Sequence, residues 1–285
     1  MPNIFWFNCL AAVGLATAAF TMYKRPDVAR LSTFIVFYIF ATSLTWLGEF
    51  IVLGFFDSYA YKPGLFADPW AENLSAHLIL NSTLWPGIAV LVVAYSLGSG
   101  WMLLISLAFV LVETLFLKMG LYEHHWWKSY MTACSVFIYL VLARIWFAKM
   151  TQIRARSSRA TIFYFICLVI IHAPIPLLLL WQKQYYDVGL ADNLIRSSTI
   201  FILSYQMVEA LFLVFFVCIL SKWYWKLVPF LIAFGGQAAL AAGNILIFQD
   251  NWNLLYTTLL YFIAVAICIF IDNAVLLTVR NPKPD

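Results

Sequence analysis

Charge is what this chain has least of. Only 11% of its 285 residues are Asp, Glu, Lys or Arg, against about 25% in an ordinary soluble domain. With 64% apolar residues and a mean hydropathy of +0.90, a water-soluble core of this length could not hide its apolar surface, so lipid is the solvent. Cysteine motifs are missing too: Cys9, Cys134, Cys167, Cys218 and Cys268 lie in apolar runs with no CxxC or CxxH spacing. That argues against a disulfide framework and a thiolate metal site, and leaves them as small buried hydrophobes. No basic stretch precedes the first apolar run, which is instead followed by Lys24 and Arg25, the reverse of a cleavable signal peptide. The first helix is therefore expected to remain in the mature protein.

Other absences narrow the function. There is no GxGxxG, GKS/T or HExxH string, so no cofactor or metal is expected and any transport would be secondary rather than ATP-driven. The net charge of +4 is spread over short loops, which excludes a nucleic-acid-binding face. A sensor is disfavoured for want of a sizeable soluble domain, and a retinal photoreceptor because the last apolar run has no lysine for a Schiff base.

What is present is long apolar runs, with many Trp and Tyr at their edges, where amphipathic rings settle at a membrane interface. Such runs are too continuous for alternating barrel strands, and in hydrocarbon only helices remain to satisfy the backbone. At about 20 residues per span, an all-α polytopic transmembrane bundle of about nine helices is expected, near 3–23, 31–56, 78–97, 100–120, 129–149, 160–181, 199–221, 227–248 and 253–279. Loop charge tests that number. One side collects Lys24, Arg25, Arg30, Lys149, Arg154, Arg156, Arg159, Lys222, Lys226, Arg280 and Lys283, and the other only Lys62, Lys128, Lys183 and Arg196. By the excess of basic residues in cytoplasmic loops, the N-terminus is expected outside and the C-terminus in the cytoplasm.

The chain also reads as internally repeated. Tyr61, Gly64 and Leu65 match Tyr186, Gly189 and Leu190 at an offset of 125, and Trp126, Tyr130 and Thr132 match Trp252, Tyr256 and Thr258 at 126. The expected helices follow the same offset, giving one leading helix and two four-helix repeats within a single membrane domain, residues 31–150 and 160–279. Four spans is an even number, so the copies would run parallel.

Ionisable residues inside spans cost at least about 2.5–3.5 kcal/mol each and mark functional candidates. Here they are Glu49, Glu113, Arg144, His172, Glu209 and Asp272. Counting about 1.5 Å per residue puts Glu49 and Glu113 roughly 10 Å and His172 and Glu209 roughly 14 Å below the outer helix ends, so the four are expected to converge in one outward-facing pocket. Thr42 and Trp46 share a face with Glu49, and Tyr205 and Gln206 cluster with Glu209. Pro174 and Pro176 leave carbonyls without helical partners beside His172. Arg144, shifted by 126, falls on Phe270, two residues from Asp272, so a structural ion pair between Arg144 and Asp272 is weighed against separate snorkelling. Zinc ligation by His77, Glu113, Glu123, His124 and His125 is considered, but adjacent histidines cannot share a helix face, and interfacial anchoring by Trp126 and Trp127 is preferred. Gly235, Ala239 and Gly243 form a small-residue ladder for tight helix packing.

With Glu49, the loop from Tyr59 to Pro63 and the string from Glu113 to Trp127 in view, the chain resembles an uncharacterised group of multi-spanning membrane proteins from spore-forming, low-GC Gram-positive bacteria. The resemblance implies a bacterial cell membrane and supplies no activity or catalytic residue. Two function classes stay open. One is binding or secondary transport of a small or amphiphilic molecule in an acidic pocket formed by Glu49, Glu113, His172, Gln206 and Glu209, so that the expected partners are the lipid bilayer and a small-molecule or lipid ligand. The other is an intramembrane enzyme acting on a lipid or isoprenoid, with a glutamate as general acid.

Overall fold

The computed structural model describes residues 2–153, 155–220 and 222–277. Arg154, Arg280 and Lys283, used above for loop charge, lie outside them. Among the described residues nine helices are long and apolar enough to cross a membrane: α1 Ile4–Lys24, α2 Leu31–Phe55, α3 Pro69–Ala94, α4 Ser99–Lys118, α5 Ser129–Thr151, α6 Arg156–Leu180, α7 Leu194–Ile219, α8 Trp223–Ala242 and α9 Leu254–Leu276. The chain is an all-α integral membrane protein. The described residues also form four short strands: β1 Tyr59–Tyr61, β2 Tyr122–His124, β3 Gln184–Tyr186 and β4 Leu246–Phe248.

Inverted amphipathicity explains why these helices need lipid. On α4 the side chains of Leu104, Leu107, Leu111 and Leu115 are exposed at helical spacing, while Ser106 and Glu113 are buried. A soluble helix would do the opposite. Two boundaries differ most from expectation. Helix α3 begins at Pro69, not near 78, because Asp68 caps it by accepting from the amides of Trp70 and Ala71, with proline in the first turn, where its missing N–H costs nothing. Helix α8 ends at Ala242, not near 248, because Leu246–Phe248 pairs as a strand.

The chain divides into two compact units, Met1–Thr151 and Gln152–Asp285. In unit 1, α1 lies on the second half of α3, and α4 packs on α5. Contact between α1 and α3 is backbone to backbone: a Cβ added to Gly14 would stand 2.4 Å from Leu84 Cα, and one added to Gly87 2.2 Å from the Gly14 carbonyl oxygen. Close approach through small residues is how lipid-embedded helices gain packing energy. The ladder on α8 does not serve this purpose at Gly235, where a Cβ would meet nothing within 4 Å. Mid-span, α3 breaks at Ser82 and Thr83. Pro86 cannot donate to the Ser82 carbonyl four residues back, and the Tyr38 hydroxyl of α2 donates to it instead at 2.6 Å.

In unit 2, α6 packs against α7 and α9, and α8 against α9. Each unit closes two of its loops into a small antiparallel hairpin. In unit 1, Tyr59 pairs with His124 and Tyr61 with Tyr122; in unit 2, Gln184 pairs with Phe248 and Tyr186 with Leu246. Hydrogen bonds recur at the same spacing. The Tyr61 amide donates to Asn73 Oδ1 at 2.6 Å, and the Tyr186 amide to Ser198 Oγ at 2.9 Å. Trp127 Nε1 donates to Thr132 Oγ1 at 2.8 Å, and Trp252 Nε1 to Thr257 Oγ1 at 2.9 Å. All four partners lie 125 residues from their counterparts, so the tryptophan that corresponds to Trp252 in its bonding is Trp127, not Trp126. Gly64 and Gly189 share a left-handed conformation, with φ of 76° and 64°.

Candidate functional site

Unit 1 gathers its polar side chains under the hairpin. Thr42, Trp46 and Glu49 are all buried, as the shared face of α2 requires. Glu49 lies six residues from the end of α2 at Phe55, about 9 Å along the axis, and its carboxylate is fully engaged. Tyr59 donates its hydroxyl to Oε2 at 2.5 Å, Tyr61 its hydroxyl to Oε1 at 3.1 Å, and Asn81 its amide Nδ2 to Oε1 at 2.9 Å. The same Asn81 nitrogen lies 2.8 Å from His77 Nδ1, which as an acceptor requires the tautomer protonated on Nε2. Burial first, then the neighbouring Glu49 carboxylate, pushes the Tyr59 and Tyr61 phenols well above their ordinary range. Both therefore stay protonated and remain donors.

Glu113 sits five residues from the end of α4 at Lys118, about 8 Å along the axis. Thr132 donates to its Oε2, Thr132 in turn accepts from Trp127, and His124 Nε2 lies 3.1 Å from its Oε1. Tyr61 and Tyr122 stand within electrostatic reach of both Glu49 and Glu113, and the rings of Tyr59 and Tyr61 each lie 5.1 Å from that of Tyr122. The two acids thus meet across one tyrosine layer. Trp127, at 8% exposure, belongs to this interior, while Trp126, at 45%, is exposed and donates its Nε1 to the Phe56 carbonyl at 2.7 Å. The groups weighed for zinc have separate partners: His77 faces Asn81, His124 faces Glu113, His125 contacts Asp57 and Glu123 pairs with Lys62. Among the described residues no group of three or more His, Cys, Asp or Glu is placed to hold a metal.

Unit 2 builds a different centre. His172 Nδ1 lies 2.6 Å from Gln206 Oε1, and Gln206 Nε2 donates to the Ile171 carbonyl at 3.0 Å and to Tyr261 Oη at 2.7 Å. The Ile171 carbonyl lies between those of Ile170 and His172, which Pro174 and Pro176 leave without a helical donor, so the amide bonds α6 where its own ladder is interrupted. Gln206 lies 125 residues after Asn81, so the two amides correspond, whereas Glu49 shifted by 125 falls on Pro174, two residues from His172; each amide meets an ionisable group, acid in one unit and imidazole in the other.

Glu209, one turn beyond Gln206 at most, is the exception to this satisfaction. It is 8% exposed, and neither carboxyl oxygen has a hydrogen-bond partner. Tyr205, one turn back on α7, approaches it closely enough to interact but not in hydrogen-bonding geometry. Glu209 lines a shallow, partly open crevice, with walls that include apolar groups of Ile171, Phe212, Pro229, Ile232 and Tyr261. Because α7 starts at Leu194, five residues earlier than expected, Glu209 lies about 22 Å along its helix. The expected depth of roughly 14 Å is corrected accordingly.

The expected ion pair is also corrected. Asp272 is held by Arg159, whose Nε and terminal NH2 donate to Oδ1 and Oδ2 at 2.8 and 2.5 Å. Arg144 instead points a guanidinium nitrogen to the Leu97 carbonyl at 3.4 Å. The reason is that α6 starts at Arg156, which places Arg159 inside the helix and not in the loop to which loop counting assigned it. Asn81 and Tyr261 are not singled out from the sequence, and Tyr59 and Tyr61 only through the repeat and the resemblance, not as site residues. The 125-residue offset from Gln206 to Asn81 was a signal that pointed to the first of them. No family model matches this chain, and neither does any curated protein or solved structure.

Proposed function

We propose that the protein binds, and by secondary transport moves, a small or amphiphilic molecule, with the Glu209 crevice of unit 2 as its ligand site. One observation carries this reading: Glu209 is a buried carboxyl group whose oxygens are left unpartnered, and it lines a cavity. An unpaired acid in apolar surroundings is costly, and a ligand that completes it would recover that cost. Glu49 and Glu113 support the enzymatic alternative less well. Their oxygens face neutral donors and an imidazole, an arrangement suited to a held carboxylate more than to an acid that gives up a proton. We take these two acids, with His172 and Gln206, as the polar frameworks that set the helices around the hairpins.

The recurring 125-residue spacing supports reading α2–α5 and α6–α9 as two copies of one four-span repeat, with α1 added to the first. Loop charge and the family resemblance support a bacterial cell membrane, with the N-terminus outside and the C-terminus in the cytoplasm. Mass spectrometry of small molecules released from purified protein tests the function. A discrete species should be enriched in the wild-type chain and lost from Ala233→Phe, which fills the crevice. Identical bulk lipid in both samples would overturn the reading.

A further inference from the structure

Among the described residues, each Asp, Glu, His or Arg buried within a span has a hydrogen-bond partner except Glu209, which Tyr205 alone approaches. Glu49 and Glu113 accept hydrogen bonds, His172 meets Gln206, and Asp272 and Arg159 hold each other. Its surroundings say what could complete Glu209. None of the residues lining the crevice carries a positive charge, and Arg159, the one buried cation among the described residues, is taken. A small divalent ion would need six or more oxygen ligands, whereas the walls here are hydrocarbon and ring.

Those walls suit a different kind of cation. Tyr261 and Phe212 line the crevice together with Ile171, Pro229 and Ile232. Aromatic faces attract a diffuse positive charge, and aliphatic walls reward burial of its hydrocarbon. Helix α8 is shaped to come close: a Cβ added to Gly236 would stand 1.9 Å from the Tyr205 hydroxyl and 3.9 Å from Glu209 Oε1. One turn from Ala233 on the same face, Gln237 is fully buried with both amide atoms unpartnered, a second polar group beside the site. The enclosed room is only about 10 Å³, on the scale of one water molecule, so the crevice seats a small charged group while the body attached to it lies at the open mouth.

Unit 1 shows why the site belongs to one unit. The positions 125 residues before Glu209 and Phe212 are Leu84 and Gly87, an apolar residue and a glycine, and α1 lies on both through Gly14. In unit 2 the corresponding positions carry an acid and a ring, and they line open space.

We propose that this crevice binds a lipophilic organic monocation, an ammonium group on a small aromatic or aliphatic body, with Glu209 as its counter-ion. The proposal rests on the reading of the crevice as a ligand site and names its ligand class. The test uses purified full-length protein in non-ionic detergent and two probes of the same shape, benzyltrimethylammonium and its uncharged isostere neopentylbenzene, with binding read by calorimetry. The wild-type chain should bind the ammonium at least tenfold more tightly than the isostere. Glu209→Gln should abolish that preference, Glu209→Asp should keep part of it, and Glu49→Gln should leave it intact, each variant checked for wild-type helicity. If Glu209→Gln does not fold, retention of the preference by Glu209→Asp together with blockade of both probes by Ala233→Phe supports the assignment. Equal binding of the two probes, both blocked by Ala233→Phe, overturns the cation class and leaves the crevice as a ligand site. Binding of neither probe, or a charge preference that survives Glu209→Gln, also overturns the proposal.

Discussion

Removing either side of the Arg159–Asp272 pair should expose how deeply each end is committed. The pair is bidentate, at 2.8 and 2.5 Å, and the side chains are 7% and 0% exposed. Breaking a buried ion pair by deleting one partner costs about 3–5 kcal/mol, because the remaining charge is stranded. The two deletions are not equivalent. Arg159 is three residues from the start of α6 at Arg156, about 4.5 Å, so after Asp272→Ala its long side chain can snorkel to the interface. Asp272 is too short to follow after Arg159→Ala. The expected losses are therefore about 3 kcal/mol for Asp272→Ala and about 5 kcal/mol for Arg159→Ala, the two ends of that range. The double variant should lose no more than about 3 kcal/mol, since it strands no charge and a neutral replacement of a buried pair is often tolerated. Apparent melting temperatures in detergent, at about 2 °C per kcal/mol for a large chain, would then fall by about 6 °C, 10 °C and at most 6 °C. Strictly additive losses, or a harsher effect from Asp272→Ala than from Arg159→Ala, would refute the reasoning.

Two further outcomes are expected. Gly87→Ala places a Cβ against the backbone of α1 and should cost about 1–3 kcal/mol of overpacking in a thermal melt, whereas Gly235→Ala, facing open space, should change stability by less than about 0.5 kcal/mol; equal effects would contradict the α1–α3 contact. In intact cells, a cysteine at His124 should react with an impermeant maleimide and one at Arg156 should not, and the opposite pattern would reverse the proposed orientation.

Lipid as solvent could be read from composition, and helix number from the apolar runs, because hydrocarbon leaves a continuous apolar run only one way to satisfy its backbone. The polar stripe of Thr42, Trp46 and Glu49 was equally legible, since helical spacing dictates which side chains share a face. Partnership was not. The depth of Arg159 depended on where α6 begins, a matter of a few residues that loop counting cannot resolve, and the early start of α3 depended on the Asp68 cap and Pro69. The hairpins were invisible to hydropathy, because three-residue strands carry too little periodicity and are made by pairing between loops some 60 residues apart. Above all, sequence placed Glu49, Glu113 and Glu209 in one class of buried acids. Only tertiary packing separated them: two find donors within reach on neighbouring elements, while Glu209 faces apolar walls, and whether a buried carboxyl group is satisfied is decided by what other segments bring to within 3 Å of it.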